Sequence, residues 1–280
     1  MATIIELKDL VNCGVGSNLG TGSKGCQAIL KATTSIWLTR TGFKFDKTAD
    51  ISSDSSYVKQ LQAEGKLIIL KGVKEFTTNR EENVTETDGD GTIRVVRKGL
   101  YAFNAMFKKG FNYQSALSSI SSFGAYDALF VDSDGNILGT VANDGSLKGI
   151  TTGMVEADGI SFSTFTETMS QGLTFQFLDR TEVDVDYFFI SAKELNWYPQ
   201  RLDGVNQAVV SFDAIPTDGA TTFNATVKFK QGSKPITGLV VGNFLFKNQG
   251  ATVVPTSVVE GTDGTYAFTV ATVNTDNKLE

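Results

Sequence analysis

Histidine is missing from all 280 residues, cysteine occurs only at Cys13 and Cys26, and proline only four times. Without histidine there is no Ser-His-Asp triad, and the commonest general base and zinc ligand is gone. Two cysteines are no disulfide framework, and nothing fixes a base or metal set beside either one. Long Ala/Leu/Glu/Lys tracts are also lacking, which speaks against a helical bundle. No apolar run approaches the roughly 20 residues of a spanning helix. The first ten residues carry charge where a secretory signal has its apolar stretch, so the expectation is a soluble chain made in a cytoplasm, or exported by a route the chain does not encode, without membrane insertion. The net charge is −6 and no basic block is present. Sequence-specific duplex binding, which needs a concentrated Lys/Arg face, is not expected.

What the chain does have is Phe (20 residues), Tyr, Thr and Val. These residues favour pleated surfaces, and the reading is a mainly β protein. All four prolines lie from Pro199 onward, while every Met and Cys lies before position 170. This shift puts a boundary near Pro199 to Val205, with a linker from Tyr198, and gives domains 1–200 and 206–280.

In the first domain, strands are expected at 28–41, 66–71, 92–97, 100–107, 159–166, 173–178 and 187–190. A hairpin is expected from 128–131 through Asp134-Gly135-Asn136 to 137–141. One short helix is expected over 53–62, with Tyr57, Val58 and Leu61 on its apolar face. A second covers 112–122, with Tyr113, Ala116, Leu117 and Ile120 at helical spacing. In the second domain, alternating runs at 208–214, 222–230, 239–241, 244–246, 252–254, 258–259 and 265–270 are separated by turn signals. They read as a β-sandwich.

Several motifs invite chemistry. Gly16 to Cys26 is glycine-rich, but Lys24 follows Ser23 rather than a P-loop glycine, and no strand-loop-helix frame surrounds it. Asp132-Ser-Asp134-Gly-Asn136 opens like a calcium loop, yet glycine stands fourth rather than sixth and position twelve is Asn143 rather than glutamate. A tight turn explains it better. The carboxylates Glu81, Glu82, Glu86, Asp88 and Asp90 could supply an acid/base pair, but a charge run on an exposed tip is more simply solvated. Phe188-Phe189 and Trp197-Tyr198 read as core and boundary packing. No cofactor and no metal is expected, and no catalytic residue.

Two segments resist a core role. Residues 12–25 form a glycine-rich N-terminal arm. Residues 77–91 read as the tip of a β-hairpin that projects from the body.

Four stretches carry a resemblance: Ala63-Glu-Gly-Lys-Leu-Ile-Ile-Leu, Val95-Val-Arg-Lys-Gly-Leu-Tyr-Ala-Phe, Ser115 to Asp132, and Gly149-Ile-Thr-Thr-Gly-Met-Val. Together they make the first domain resemble the tail tube (major tail) proteins of tailed bacteriophages. The C-terminal segment, ending in Gly264-Thr-Tyr-Ala-Phe-Thr-Val, is similar to bacterial and phage immunoglobulin-like modules. The resemblance implies a tail-tube-like β-sandwich or partial barrel with one or two short helices, followed by an immunoglobulin-like β-sandwich. It implies a virion protein whose rings of six subunits stack into a tube that conducts DNA without binding it specifically. Other tail proteins would be partners, and residues 206–280 would sit outside, where they could meet host-surface glycans. Assembly contacts would fall on Gly14, Gly16, Gly20, Gly22 and Lys24 of the arm. On the hairpin they would fall on Thr77, Asn79 and Arg80, then on Glu81, Glu82, Glu86, Asp88 and Asp90. The competing readings are another virion or decoration protein, a carbohydrate-binding adhesin, and a carboxylate-dependent glycosidase.

Overall fold

A computed structural model describes residues 29–271, except 47, 124, 206–207, 215, 217–218, 231–232 and 249–250. The chain is mainly β, with antiparallel sheets that do not close into a barrel. It divides into two compact units, one ending at Val205 and one starting at Asn206.

In the first unit the elements are β1 (Thr33–Arg40), α1 (Ser56–Ala63), β2 (Leu67–Lys71), β3 (Val73–Arg80), β4 (Val84–Thr87) and β5 (Ile93–Arg97). β6 (Tyr101–Phe107), α2 (Phe111–Ile120), β7 (Ser122–Phe123), β8 (Tyr126–Asp132) and β9 (Ile137–Val141) follow. The unit closes with β10 (Leu147–Lys148), β11 (Ile150–Ser161), β12 (Ser170–Phe177), α3 (Thr181–Asp184) and β13 (Tyr187–Ile190). The expected hairpin is present as β8–β9, with Phe130 opposite Leu138 and Val131 opposite Ile137.

The main layer is β2-β1-β8-β9, with β13 on β9. The facing layer is β3-β6-β12-β11. β11 belongs to both: Ile150 and Thr151 pair with β8 before the strand turns to β12. The period of two sends alternate residues of the main layer into different cores. Trp37, Leu129, Val131 and Ile69 face a core closed by Val58 and Leu61 of α1 and by Phe188 and Ile190. Ile36, Leu38, Ala128 and Phe130 face the second layer, where they meet Phe107, Leu173, Phe175 and Phe177. Phe130 is the hub here, with ring centroids of Phe76, Phe103, Phe175 and Phe177 all within 6.3 Å. Leu117 and Ile120 of α2 join the same core.

The expected linker at Tyr198 to Val205 is instead docked on the first unit. Pro199–Arg201 forms a single 3-10 turn. Gln62 Nε2–H donates to Asp203 O (2.9 Å), and the Lys71 ammonium holds Arg201 O and the Asp203 carboxylate. Gly204 approaches so closely that a Cβ there would lie 2.6 Å from Ile69 O. The expected strand at 159–166 is also corrected. β11 ends at Ser161, because its partner β12 begins at Ser170 and the residues between have nothing to pair with.

The second unit holds the sheet β14-β15-β19-β18, made of β14 (Ala208–Phe212), β15 (Thr222–Phe229), β18 (Ser257–Glu260) and β19 (Thr265–Thr269). A hairpin of β16 (Phe246–Asn248) and β17 (Ala251–Val253) completes it. The inward residues Phe223, Val227, Phe244, Phe246, Tyr266 and Phe268 form its core. Tyr266 keeps its hydroxyl paired by donating to Ile236 O (2.8 Å). The strand expected at 239–241 is absent: Val241–Asn243 is a 3-10 turn.

Both tryptophans, Trp37 and Trp197, lie in the first unit and stack on one another, so tryptophan fluorescence reports that unit alone. Phe130→Ala should lower its unfolding free energy by about 3–5 kcal/mol, read as an earlier fluorescence midpoint in urea at unchanged slope.

Candidate self-assembly site

The hairpin expected at 77–91 is longer and built in two stages. β3 and β6 pair from Val73–Phe107 to Arg80–Tyr101. Beyond them β4 and β5 form a separate two-stranded ribbon, from Thr87–Ile93 back to Val84–Arg97. The turn at its tip is closed by Asp88 N–H donating to Thr92 O and Gly91 N–H donating to Asp88 O (both 2.8 Å).

The neck between the stages is pinned. Gly99 N–H donates to Asn83 Oδ1 (2.9 Å), and Gln176 Nε2–H donates to Glu81 Oε1 (2.9 Å). A Cβ on Gly99 would sit 1.9 Å from Glu81 O, so only glycine lets the two chains pass there.

Every residue of β4 and β5 is exposed. Val84, Ile93, Val95 and Val96 are among them, Ile93 at 69%. Ile93 and Val95 share a face with Thr87 and Thr85, while Val96 lies on the other face. β-Branched residues on both faces of this ribbon are left uncovered by the described residues. Carboxylates outnumber cations along it. Arg94 pairs with Asp88 (2.6 Å) and Arg97 with Glu81 (3.5 Å). Glu82, Glu86 and Asp90 have no ion-pair partner among the described residues. Hydrogen bonds from Thr92 hold the Asp90 carboxyl below its ordinary range.

β3 ends its sheet, and its outer edge has no strand partner among the described residues. Thr77 and Asn79 lie on it opposite Asn104 and Ala102. Arg80 lies over the Tyr101 ring (5.8 Å). The hairpin candidates thus fall on one continuous element. The N-terminal candidates Gly14, Gly16, Gly20, Gly22 and Lys24 lie outside the described residues, as do Cys13 and Cys26.

Other titratable groups are structural. The Asp132 carboxylate accepts N–H bonds from Asp134, Gly135 and Asn136 (all 2.9 Å) at Oδ1, and from Lys31 N–H and Asn136 Nδ2 at Oδ2. Asp134 pairs with Lys31 (2.6 Å). The calcium-like motif is therefore a carboxylate-tied turn, and no metal-ligand cluster occurs among the described residues. Glu182 of α3 accepts from Lys148 Nζ (2.6 Å) and from Thr151 N–H (2.6 Å), an ion pair shielded on both sides. Nearby, Asp127 is fully buried, with Oδ2 accepting from Gly42 N–H (2.9 Å) and Oδ1 unpaired. Desolvation raises its pKa. The Gly42 bond and Lys148 oppose this, and Glu182 adds to it.

Phe188 and Phe189 are buried, and Trp197 packs on the α1-side core. Tyr198 is exposed beneath the Arg201 guanidinium. A second apolar surface that sequence reading missed lies at the far end of β6. Phe111 of α2 meets Phe162 of the β11–β12 loop (6.2 Å), with Phe165 beside it in sequence, and all three are exposed. Phe162 and Phe165 both lie inside the strand expected at 159–166.

No protein-family model and no curated protein sequence matches the chain.

Two outcomes are expected. A raised native pKa means that the native state binds more protons than the unfolded chain above the ordinary carboxylate range. Stability should then fall as pH rises from about 4 through the native value. Asp127→Asn should flatten that part of the pH–stability curve. Asp132→Ala should cost roughly 2–4 kcal/mol by stranding several N–H donors, while millimolar calcium leaves the wild-type urea midpoint unmoved.

Proposed function

We propose that this chain is a virion structural protein whose first unit builds a bacteriophage tail tube. Six-membered rings stack into a conduit for DNA, and the second unit is carried on the outside. The observation that carries the reading is the β4–β5 ribbon: it bears β-branched apolar residues on both faces, is fully exposed, and continues the strands of a well-packed sandwich. A protein that functioned as a monomer would gain nothing from this element and would risk aggregation. The edge of β3, unpaired among the described residues, supports the same reading, since a ring joined by strand pairing would cover it. The net negative charge suits a lumen past which phosphates move without being held.

An adhesin would display aromatic rings on its binding module. In the second unit Phe223, Phe244, Phe246, Tyr266 and Phe268 are instead buried in its core, so the adhesin reading is the weaker one.

Negative-stain electron microscopy over a concentration series tests the proposal. Hollow rings or tubes of uniform diameter are expected, with peripheral density that disappears when residues 206–280 are deleted. Replacing residues 84–97 by a short glycine turn should leave the circular dichroism of the body intact and abolish the tubes. Tubes that persist without the ribbon would remove its assembly role.

A further inference from the structure

β3 and β6 carry different surfaces at their two ends. At the Arg80–Tyr101 end stands the acidic, apolar ribbon. At the Val73–Phe107 end, roughly 20 Å away along a seven-residue strand, the surface is aromatic and basic. Phe111, Phe162 and Phe165 are 58%, 72% and 112% exposed there. Phe107 is level with Val73 on one side and Gln171 on the other, which brings the β2–β3 turn, the start of α2 and the β11–β12 loop together. Gln171 holds the segment between β6 and α2 by accepting from Lys109 N–H (2.9 Å) and donating to Lys109 O (2.7 Å). Lys74 and Lys108 are exposed at this end and have no ion-pair partner among the described residues. Lys109 lies over the Tyr113 ring (4.2 Å). Glu75 and Glu167 are the carboxylates nearest in sequence, and Asp203, close enough to act on Lys109, is already paired with Lys71 (2.8 Å).

We infer that the Phe111/Phe162/Phe165 surface, flanked by Lys74 and Lys108, is the receptor for the β4–β5 ribbon of a second copy of this chain. The two surfaces match in both respects that decide docking. Ile93 and Val95 are unburied aliphatics that need an apolar seat, and the phenylalanines are an apolar seat that needs covering. Asp90 at the ribbon tip would lie against these lysines, a charge match that sets orientation and speeds encounter, while Glu86 stands opposite Arg94 on the other face. Because the surfaces differ and sit at opposite ends of the same two strands, the contact is heterologous. It repeats in one direction and leaves a donor and an acceptor at each step. The inference rests on the tube reading for its biological setting and adds to it the surface that receives the arm.

The test is cross-linking of two full-length variants in a Cys13→Ser/Cys26→Ser background, one carrying Val95→Cys and the other Phe162→Cys. Under mild oxidation the mixture should yield a mixed disulfide dimer, while each variant alone yields far less. Lys74→Glu/Lys108→Glu in the Phe162→Cys partner should cut the yield about tenfold at low salt. Pairing it with Asp90→Lys in the Val95→Cys partner should restore part of the yield. Tubes in the microscope without a mixed dimer would overturn this contact and leave the tube proposal standing. A mixed dimer without rings or tubes would support the contact and sink the tube. Neither would overturn both.

Discussion

Everything in the first unit is built around the two-sided burial of β8. Its seven residues are all buried. One edge pairs along its length with β1, and the other is shared between β9 and the start of β11. Its odd-numbered and even-numbered side chains fill two different cores, so neither core can form without the strand in register. A slip by one residue would exchange Phe130 for Leu129 and break both cores at once. A buried carboxylate near each end holds the strand in place: Asp127 ties it to the turn after β1, and Asp132 ties it to the turn that leads into β9.

That arrangement was largely visible in the residues. Ala128-Leu-Phe-Val is a continuous apolar run rather than an alternating one, as a strand covered on both faces should be. The Asp-Gly-Asn turn after it marks the hairpin. α1 and α2 were found through their apolar spacing, to within a few residues at their ends, while α3 was not. In the second unit the strict alternation of Thr222 to Phe229 reflects one buried and one wet face.

What was hidden follows from exposure. β3 buries little beyond Val73 and half of Phe76, so its polar sequence looked like part of a loop. β5 was recognised, but nothing local told that it pairs with β4 rather than joining the main sheet. That depends on the crossing at Gly99. Phe162 and Phe165 were misassigned because aromatic residues in a loop look like strand residues unless the partner strand is known to be missing. The docking of Asp203 on Gln62 and Lys71 joins residues more than 130 apart, which no local pattern shows. Assembly surfaces, unlike cores, leave no periodicity in a single chain. The hairpin was suspected from its charge and length, and the aromatic surface was not.

The continuity of the ribbon with β3 and β6 has a mechanical consequence. A force applied at the ribbon tip along its length passes through the pinned neck into strands lying in the middle and at the edge of a sheet. It loads the β3–β6 and β6–β12 ladders in shear, so many hydrogen bonds resist together instead of opening one at a time. The ribbon is thereby anchored as a tether: tension at its tip is spread over the Phe-rich interior before any single bond must yield.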